Sequence, residues 1–159
     1  MIHSHGQALC SWVQEWFKPL AYALILLRRD GYPCVFYGDY YGIPHDNINS
    51  KKEIIEILLK VRKNFSYGNQ NDYFDDSNVI GWTREGDYEH PDSGMAVIMS
   101  DGAKGSKIMN VGNRLSDTIL YDCTGNIKED VYVDKEGNGI FYCEGGSVSV
   151  WIKKDNIYK

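Results

Sequence analysis

The sequence predicts a mainly β chain: an antiparallel sandwich or Greek-key barrel over its second half, preceded by a helix–strand–helix unit. Three observations carry this. From about Asn69 onward, seven short apolar or alternating runs (NVIGWTRE, MAVIMS, SKIMNV, TILYDC, DVYVD, GIFYCE and SVSVWIKK) are separated by turn-rich punctuation such as SDGAKGS, KEGNG and EGG. Strands at this spacing are the mark of antiparallel all-β architectures. Before Asn69 the texture differs, with two helix-period stretches flanking one apolar run, GYPCVFYGDYYG at 31–42. The chain has 159 residues, 43% of them hydrophobic and 25% charged, which is enough for one domain and an appendage and is not the composition of a disordered chain.

In chain order, MIHSHG at 1–6 has no periodicity, and His3 and His5 read as an end rather than a metal pair. From about Gln7 to Arg29, Leu9, Val13, Trp16, Phe17, Leu20, Leu24 and Leu27 recur at helical spacing. Pro19 lacks an amide proton, so a break or kink is expected near it. Leu20 to Leu27 is apolar nearly all round, which predicts burial on several sides. Arg28 and Arg29 suit the last turn, and Gly31 is a natural stop.

The run Cys34–Tyr37 then reads as a buried strand of a parallel α/β sheet, with Cys34 as a small core residue and Asp39 at the strand's C-terminal lip. One such strand cannot close a barrel. After the loop IPHDNINS, Ser50 and Glu53 form a capping box for a helix at about 51–65, whose face is Ile54, Ile57, Leu58 and Val61. That face is expected on the first helix and the strand. The division between the two parts falls near 66–70, giving segments 1–66 and 67–159.

Charge and cysteine usage exclude several functions. A net charge of −5 argues against a nucleic-acid partner held through phosphates. The longest apolar run is far too short for a membrane span, and no signal peptide is visible. Cys10, Cys34, Cys123 and Cys143 contain no CxxC pair and no zinc-type spacing. Cys123 and Cys143 lie in predicted strands and could face each other. Free thiols favour a cytoplasmic location.

Residues 12–42 (WVQEWFKPLAYALILLRRDGYPCVFYGDYYG), 67–86 (YGNQNDYFDDSNVIGWTREG) and 145–153 (GGSVSVWIK) closely resemble bacterial liquefying-type α-amylases, within the α-amylase family of glycoside hydrolases. The likeness runs from Gly6 to the end of the chain. It implies that 7–30 is the helical region after the seventh strand of a (β/α)8 barrel, 33–38 the eighth strand and 51–65 the last barrel helix. About 69–159 would be the C-terminal Greek-key β-sandwich. Retaining glycosidases of this kind need two carboxylates roughly 5–5.5 Å apart. By the resemblance these sit on the fourth and fifth barrel strands, and a third acid closes the seventh. None of the three maps onto a residue here, so this polypeptide by itself is expected to be inactive on starch.

What the resemblance leaves is small. Asp39, Tyr40 and Tyr41 would stand at the lip of the eighth strand beside the substrate cleft, with Asp39 more naturally read as orienting nearby loops. Liquefying amylases can hold calcium between barrel and C-terminal domain. Here the matching positions are Ser77 and Asn78 in place of a His-Asp pair, with Asp101 retained, so a weakened site or none is expected and Asp72, Asp75 and Asp76 read as a solvated turn. No cofactor is expected in this chain, though the full-length parent can carry calcium. Trp82, Trp151, Tyr73, Tyr88 and Tyr142 could stack on sugar, with core packing the default for the two tryptophans.

An eighth strand without neighbours leaves an open edge, and Leu24, Ile25, Leu26, Leu27, Val35 and Phe36 are too much apolar surface to leave wet. The helices repack, two copies associate as a homodimer, or a separate chain supplies the rest, association being the first expectation. The functional expectation is a structural C-terminal portion of an enzyme acting on α-1,4-glucan. A stand-alone glucan-binding module, or a fragment that complements a separate barrel, is the alternative.

Overall fold

The structure, a computed structural model, describes residues 13–154. The expected Gln7–Arg29 helix can be followed only in part, and His3, His5 and Cys10 lie outside the described residues. Helix α1 runs Lys18–Leu27 with Pro19 in its first turn, so the proline starts the helix instead of kinking it. Arg28 and Arg29 fall beyond its end, and Gly31 adopts a positive φ of 96° as the chain turns away.

The predicted strand at 33–38 does not form. Residues 32–36 carry no strand pairing, and Tyr37–Tyr41 wind into a short helix, α2. A strand is stable through its ladder partners, and the described residues offer this segment none. Cys34 is exposed rather than packed in a core.

Helix α3 spans Lys52–Asn64 and buries Ile55, Leu58 and Val61, with Ile54 and Ile57 at the margin. Its start departs from the expected capping box. Lys51 holds the cap position, while Ser50 Oγ accepts the Lys52 amide at 3.2 Å and donates to the Tyr40 carbonyl at 2.6 Å.

Eight strands follow: β1 (Gln70–Tyr73), β2 (Val79–Arg84), β3 (Met95–Ser100), β4 (Gly105–Asn110), β5 (Ile119–Asp122), β6 (Val131–Tyr132), β7 (Asn138–Cys143) and β8 (Ser147–Lys153). All seven predicted runs are strands, and β1 is an addition. One antiparallel sheet has the order β1-β2-β3-β8-β5-β6, and β4 pairs with β7 to form the second layer. The return of β8 between β3 and β5 is the non-sequential order that a Greek-key sandwich requires.

The larger sheet is covered on both faces. Between the sheets lies one core, with Ala96, Ile98, Met109, Leu120, Phe141 and Trp151 fully buried. On the opposite face Trp82, Met95, Val97 and Val150 meet Leu20, Ala23, Leu26, Ile55 and Leu58 of the helices. Register explains the partition. Trp82 sits opposite Val97 and Val97 opposite Val150 on the helical face, while Ala96 pairs with Trp151 on the other. Thus β3 is buried along its whole length, as a strand between two apolar layers must be.

The helices therefore pack on the sandwich, not on a strand of their own. Leu26 and Leu27 are fully covered there, Leu24, Val35 and Phe36 are half-buried, and Ile25 stays 44% exposed. Each Leu so buried contributes about 1.5–3 kcal/mol relative to exposure. Cys123 borders the helical core and Cys143 lies in the core between the sheets, so the sheet itself keeps the two from facing each other. Among the described residues no helix is long and apolar enough to cross a membrane.

Candidate functional site

Asp39 lies in α2 and is only 3% exposed. One carboxylate oxygen is 2.8 Å from Nζ of Lys18 at the start of α1, and the other accepts the hydroxyl of Tyr22 at 2.8 Å. The Tyr22 oxygen in turn accepts the Phe36 amide at 3.3 Å, and the Asp39 carbonyl accepts the Lys51 amide at 2.7 Å. Lys18 also bonds Glu15, and Lys51 Nζ reaches the second Glu15 oxygen at 3.3 Å. A chain of opposite charges thus ties α1, α2 and the start of α3 together.

The electrostatics follow from this geometry. Burial alone would raise the Asp39 carboxyl, but hydrogen bonds from Lys18 and Tyr22 more than offset it and hold the group below the ordinary range. Lys18 is likewise pulled down by burial but lifted overall above its usual value by Asp39 and Glu15. The Tyr22 hydroxyl is pushed well up, by burial first and then by its bond to Asp39. At neutral pH Asp39 is an ionised, fully engaged carboxylate. It holds a loop in place and has no proton to trade.

Tyr40 and Tyr41 are half-buried and exposed respectively. The Tyr40 hydroxyl donates to Glu56 at 2.7 Å, which pushes its own pKa to about 12. Tyr41 packs edge-on against Tyr40 and lies 4.6 Å from the Tyr37 ring, centroid to centroid. Beside Asp39 an apolar groove of about 650 Å³ opens between α1 and residues 30–37, lined by Leu24, Ile25, Val35 and Phe36 and floored by Lys18 and Tyr22. Sequence reasoning named Asp39 and the tyrosines but missed Lys18 and Tyr22. The one available signal was a lysine set among Phe17, Pro19 and Leu20, where a buried cation demands a counter-ion.

The second candidate, Asn78 with Asp101, is brought together where β2 begins and β3 ends, with the Asp101 amide donating to the Asn78 carbonyl at 3.2 Å. The neighbouring carboxylates are exposed, as expected, although Asp72 falls in β1 and all three have partners. Asp72 makes two bonds to Arg28, at 3.0 and 2.9 Å; Asp75 takes Lys107 at 2.6 Å; Asp76 accepts the Asn78 and Val79 amides at 2.7 and 2.9 Å. Those cations and amides hold Asp75 and Asp76 below the ordinary carboxyl range. Calcium needs six to eight oxygens. Among the described residues no group of three or more acidic or metal-ligating side chains stands together.

Of the aromatic candidates, Trp82 and Trp151 are fully buried and closed off from any sugar. Tyr73 packs on the core between the sheets, and its hydroxyl accepts the Asn110 amide at 2.8 Å. Tyr142 is partly exposed, and Tyr88 stands out at 89% exposure with the Arg114 guanidinium over its ring.

Comparison with known proteins agrees with this architecture. Residues 95–152, from the start of β3 into β8, match the family described as alpha-amylase C-terminal. Over 149 residues the chain is 56% identical to an alpha-amylase of Geobacillus stearothermophilus, covering 94% of this chain and 27% of that protein. It is 53% identical over 148 residues to the glucan 1,4-alpha-maltohexaosidase of Bacillus sp. strain 707, covering 93% and 29%. The chain thus spans between a quarter and a third of the length of the curated relatives it matches. Among solved structures, an alpha-amylase from Malbranchea cinnamomea superposes with a TM-score of 0.65 at 11% identity, over 90% of this chain and 34% of that one, which is a likeness of fold. By sequence the chain is the counterpart of the C-terminal portion of bacterial α-amylases, and residues 95–152 of its β-sandwich match the alpha-amylase C-terminal family.

Proposed function

We propose that this chain is the C-terminal portion of an endo-acting α-1,4-glucan hydrolase, and that its work is structural: it braces a barrel whose catalytic acids lie elsewhere. The observation that carries this reading is the continuous apolar core that joins α1 and α3 to the larger sheet of the sandwich. That core holds α1 on the sandwich, and Lys18 and Tyr22 of α1 hold Asp39, with the Phe36 amide bonded to the Tyr22 hydroxyl. The groove alongside presents Leu24, Ile25, Val35 and Phe36 at the place where neighbouring barrel strands would pack. No residue in the 159 corresponds to the acids that would cleave a glucosidic bond, so the chain acts with a barrel, covalently attached or supplied in trans.

The test is complementation. The purified chain alone should release no reducing sugar from soluble starch. Mixed with a fragment of the Geobacillus stearothermophilus relative that carries the first seven barrel strands, it should restore hydrolysis. Absence of restored hydrolysis from a stable, stoichiometric mixture would count against the bracing role. Retention of the isolated chain on insoluble starch would instead favour the binding-module reading.

A further inference from the structure

Away from Asp39, the far ends of α1 and α3 meet the end of β2 around a second concavity of about 460 Å³, lined by Arg28, Arg29, Arg62, Lys63 and Arg84, with Ser66 at its edge. The chain as a whole is acidic, with a net charge of −5, so five cations around one hollow is a local reversal of sign. Among the described residues only Arg28 of the five pairs with a carboxylate, through its two bonds to Asp72. Among the described residues no ion pair joins Arg29, Arg62, Lys63 or Arg84 to an acid.

Part of this charge has a structural purpose. Arg62 donates to the Leu26 carbonyl and Ser66 Oγ to the Leu27 carbonyl, capping the C-terminal end of α1. Arg84, 6% exposed, is anchored by the Gly68 carbonyl at 3.0 Å and Ser66 Oγ at 3.0 Å. These bonds fix where the two guanidinium groups sit, and they use only neutral acceptors. The guanidinium of Arg29 and the ammonium of Lys63, both exposed at the mouth, take no part in either cap. Burial, and next repulsion from Arg29 and Arg62, hold Arg84 below its ordinary pKa, while Asp30 and Asp87 act in the opposite sense.

We propose that this concavity is a binding site for a phosphate-type oxyanion, free or carried as an ester, with Arg84 and Arg62 as the pre-placed floor and Arg29 and Lys63 as the mobile clamp. Guanidinium forks held in place by their neighbours suit a tetrahedral oxyanion, and charge-assisted bonds to them are about twice as strong as neutral ones. The flexible Lys63 adds a point charge that needs no fixed geometry.

The test uses the full chain in a phosphate-free buffer at fixed ionic strength. Inorganic phosphate is titrated by calorimetry and thermal melting, with sodium chloride of matched ionic strength as reference. Phosphate should raise the melting temperature where chloride does not. The double variant Arg29→Ala/Lys63→Ala, which alters only exposed side chains, should weaken phosphate binding at least fivefold. Lys104→Ala/Lys135→Ala removes the same charge from distant turns and should leave the affinity within twofold. Glucose 6-phosphate, with glucose as its blank, separates the sources. Binding of inorganic phosphate alone assigns the pocket to the free ion, and binding of the ester to an oxyanion on a larger molecule. No difference between phosphate and chloride overturns the proposal, as does equal loss in both double variants.

Discussion

Nζ of Lys18 stands 2.8 Å from the Asp39 carboxylate at a point where neither residue is more than 7% exposed, and the Tyr22 hydroxyl occupies the other carboxylate oxygen. A buried ion pair is weak evidence of net stabilisation, but breaking one side of it strands a charge. Lys18→Met should therefore destabilise the chain by about 3 kcal/mol, the lower end for such pairs because both residues line an open groove. Asp39→Asn in the same background should restore part of the loss. Urea unfolding of the two single variants and the double gives the coupling directly, and additive losses would show that the pair is not coupled.

The same pair sets a pH window. Asp39 has a folded pKa below its unfolded value, so its contribution is present above about pH 4 and is lost as pH falls through the lower folded value. Lys18 has a folded pKa above its unfolded one, so its contribution is present below about pH 10 and is lost as pH rises through the higher folded value. The stability difference between the parent chain and Lys18→Met/Asp39→Asn should be flat from about pH 5 to 9 and should change on both flanks. Denaturant midpoints across pH 3 to 11 would reveal a slope inside that interval if another group governed the difference.

Asp122 makes the strongest case for a single residue organising the sandwich. Its Oδ1 accepts the Thr124 amide at 2.9 Å, the Thr124 hydroxyl at 2.6 Å and the Val150 amide at 3.0 Å. Its Oδ2 takes the amides of Asn126 and Ile127 at 3.1 and 3.0 Å. One carboxylate thus shapes the turn after β5 and pins it to β8. Asp122→Ala would leave several buried donors without an acceptor, at a cost of about 3–4 kcal/mol once the loop relaxes. Asp122→Asn keeps one good acceptor and should lose about 1–2 kcal/mol. Equal losses in the two variants, measured by chemical unfolding, would mean that side-chain volume and not hydrogen bonding is the cause.

Much of the sandwich was legible because turns and alternation are local signals: KEGNG and EGG announce β7 and β8 without reference to the rest of the chain. β1 was not, since QNDY has neither alternation nor apolar content and is a strand only because β2 offers it an edge. The segment 33–36 misled for the converse reason. Its composition suits a strand, but a strand also needs a ladder, and ladders are properties of neighbours. The same limit applied to the sites. Asp39 could be singled out beside a glycine-flanked apolar run, whereas Lys18 and Tyr22 reach it only after α1 folds back over α2. The hollow around Arg84 draws its cations from the end of α1, the last turn of α3 and β2, and no spacing rule connects those three.

Gly68 offers a prediction that separates backbone strain from steric conflict. It joins α3 to β1 with φ of 78°, and a Cβ added there would fall 2.0 Å from the Gly86 carbonyl oxygen. Its own carbonyl anchors Arg84, and the adjacent Tyr67 carbonyl accepts the Gly86 amide at 3.0 Å, so neither strand of this crossing can retreat without loss. Gly125, in the turn after β5, has the same φ of 78°, but a Cβ added there would meet nothing within 4 Å. Both alanine variants suffer the left-handed penalty of about 1–2 kcal/mol. Only Gly68→Ala adds the clash, and because that contact is with backbone it cannot be relieved by a side-chain rotation. Gly125→Ala should fold with a melting temperature a few degrees lower, while Gly68→Ala should lose at least twice as much stability and shift the Arg84 environment. Similar losses at the two positions in paired thermal and urea unfolding would mean that the 66–68 and 85–86 segments are free to move apart, and with them the link from α3 to the sandwich.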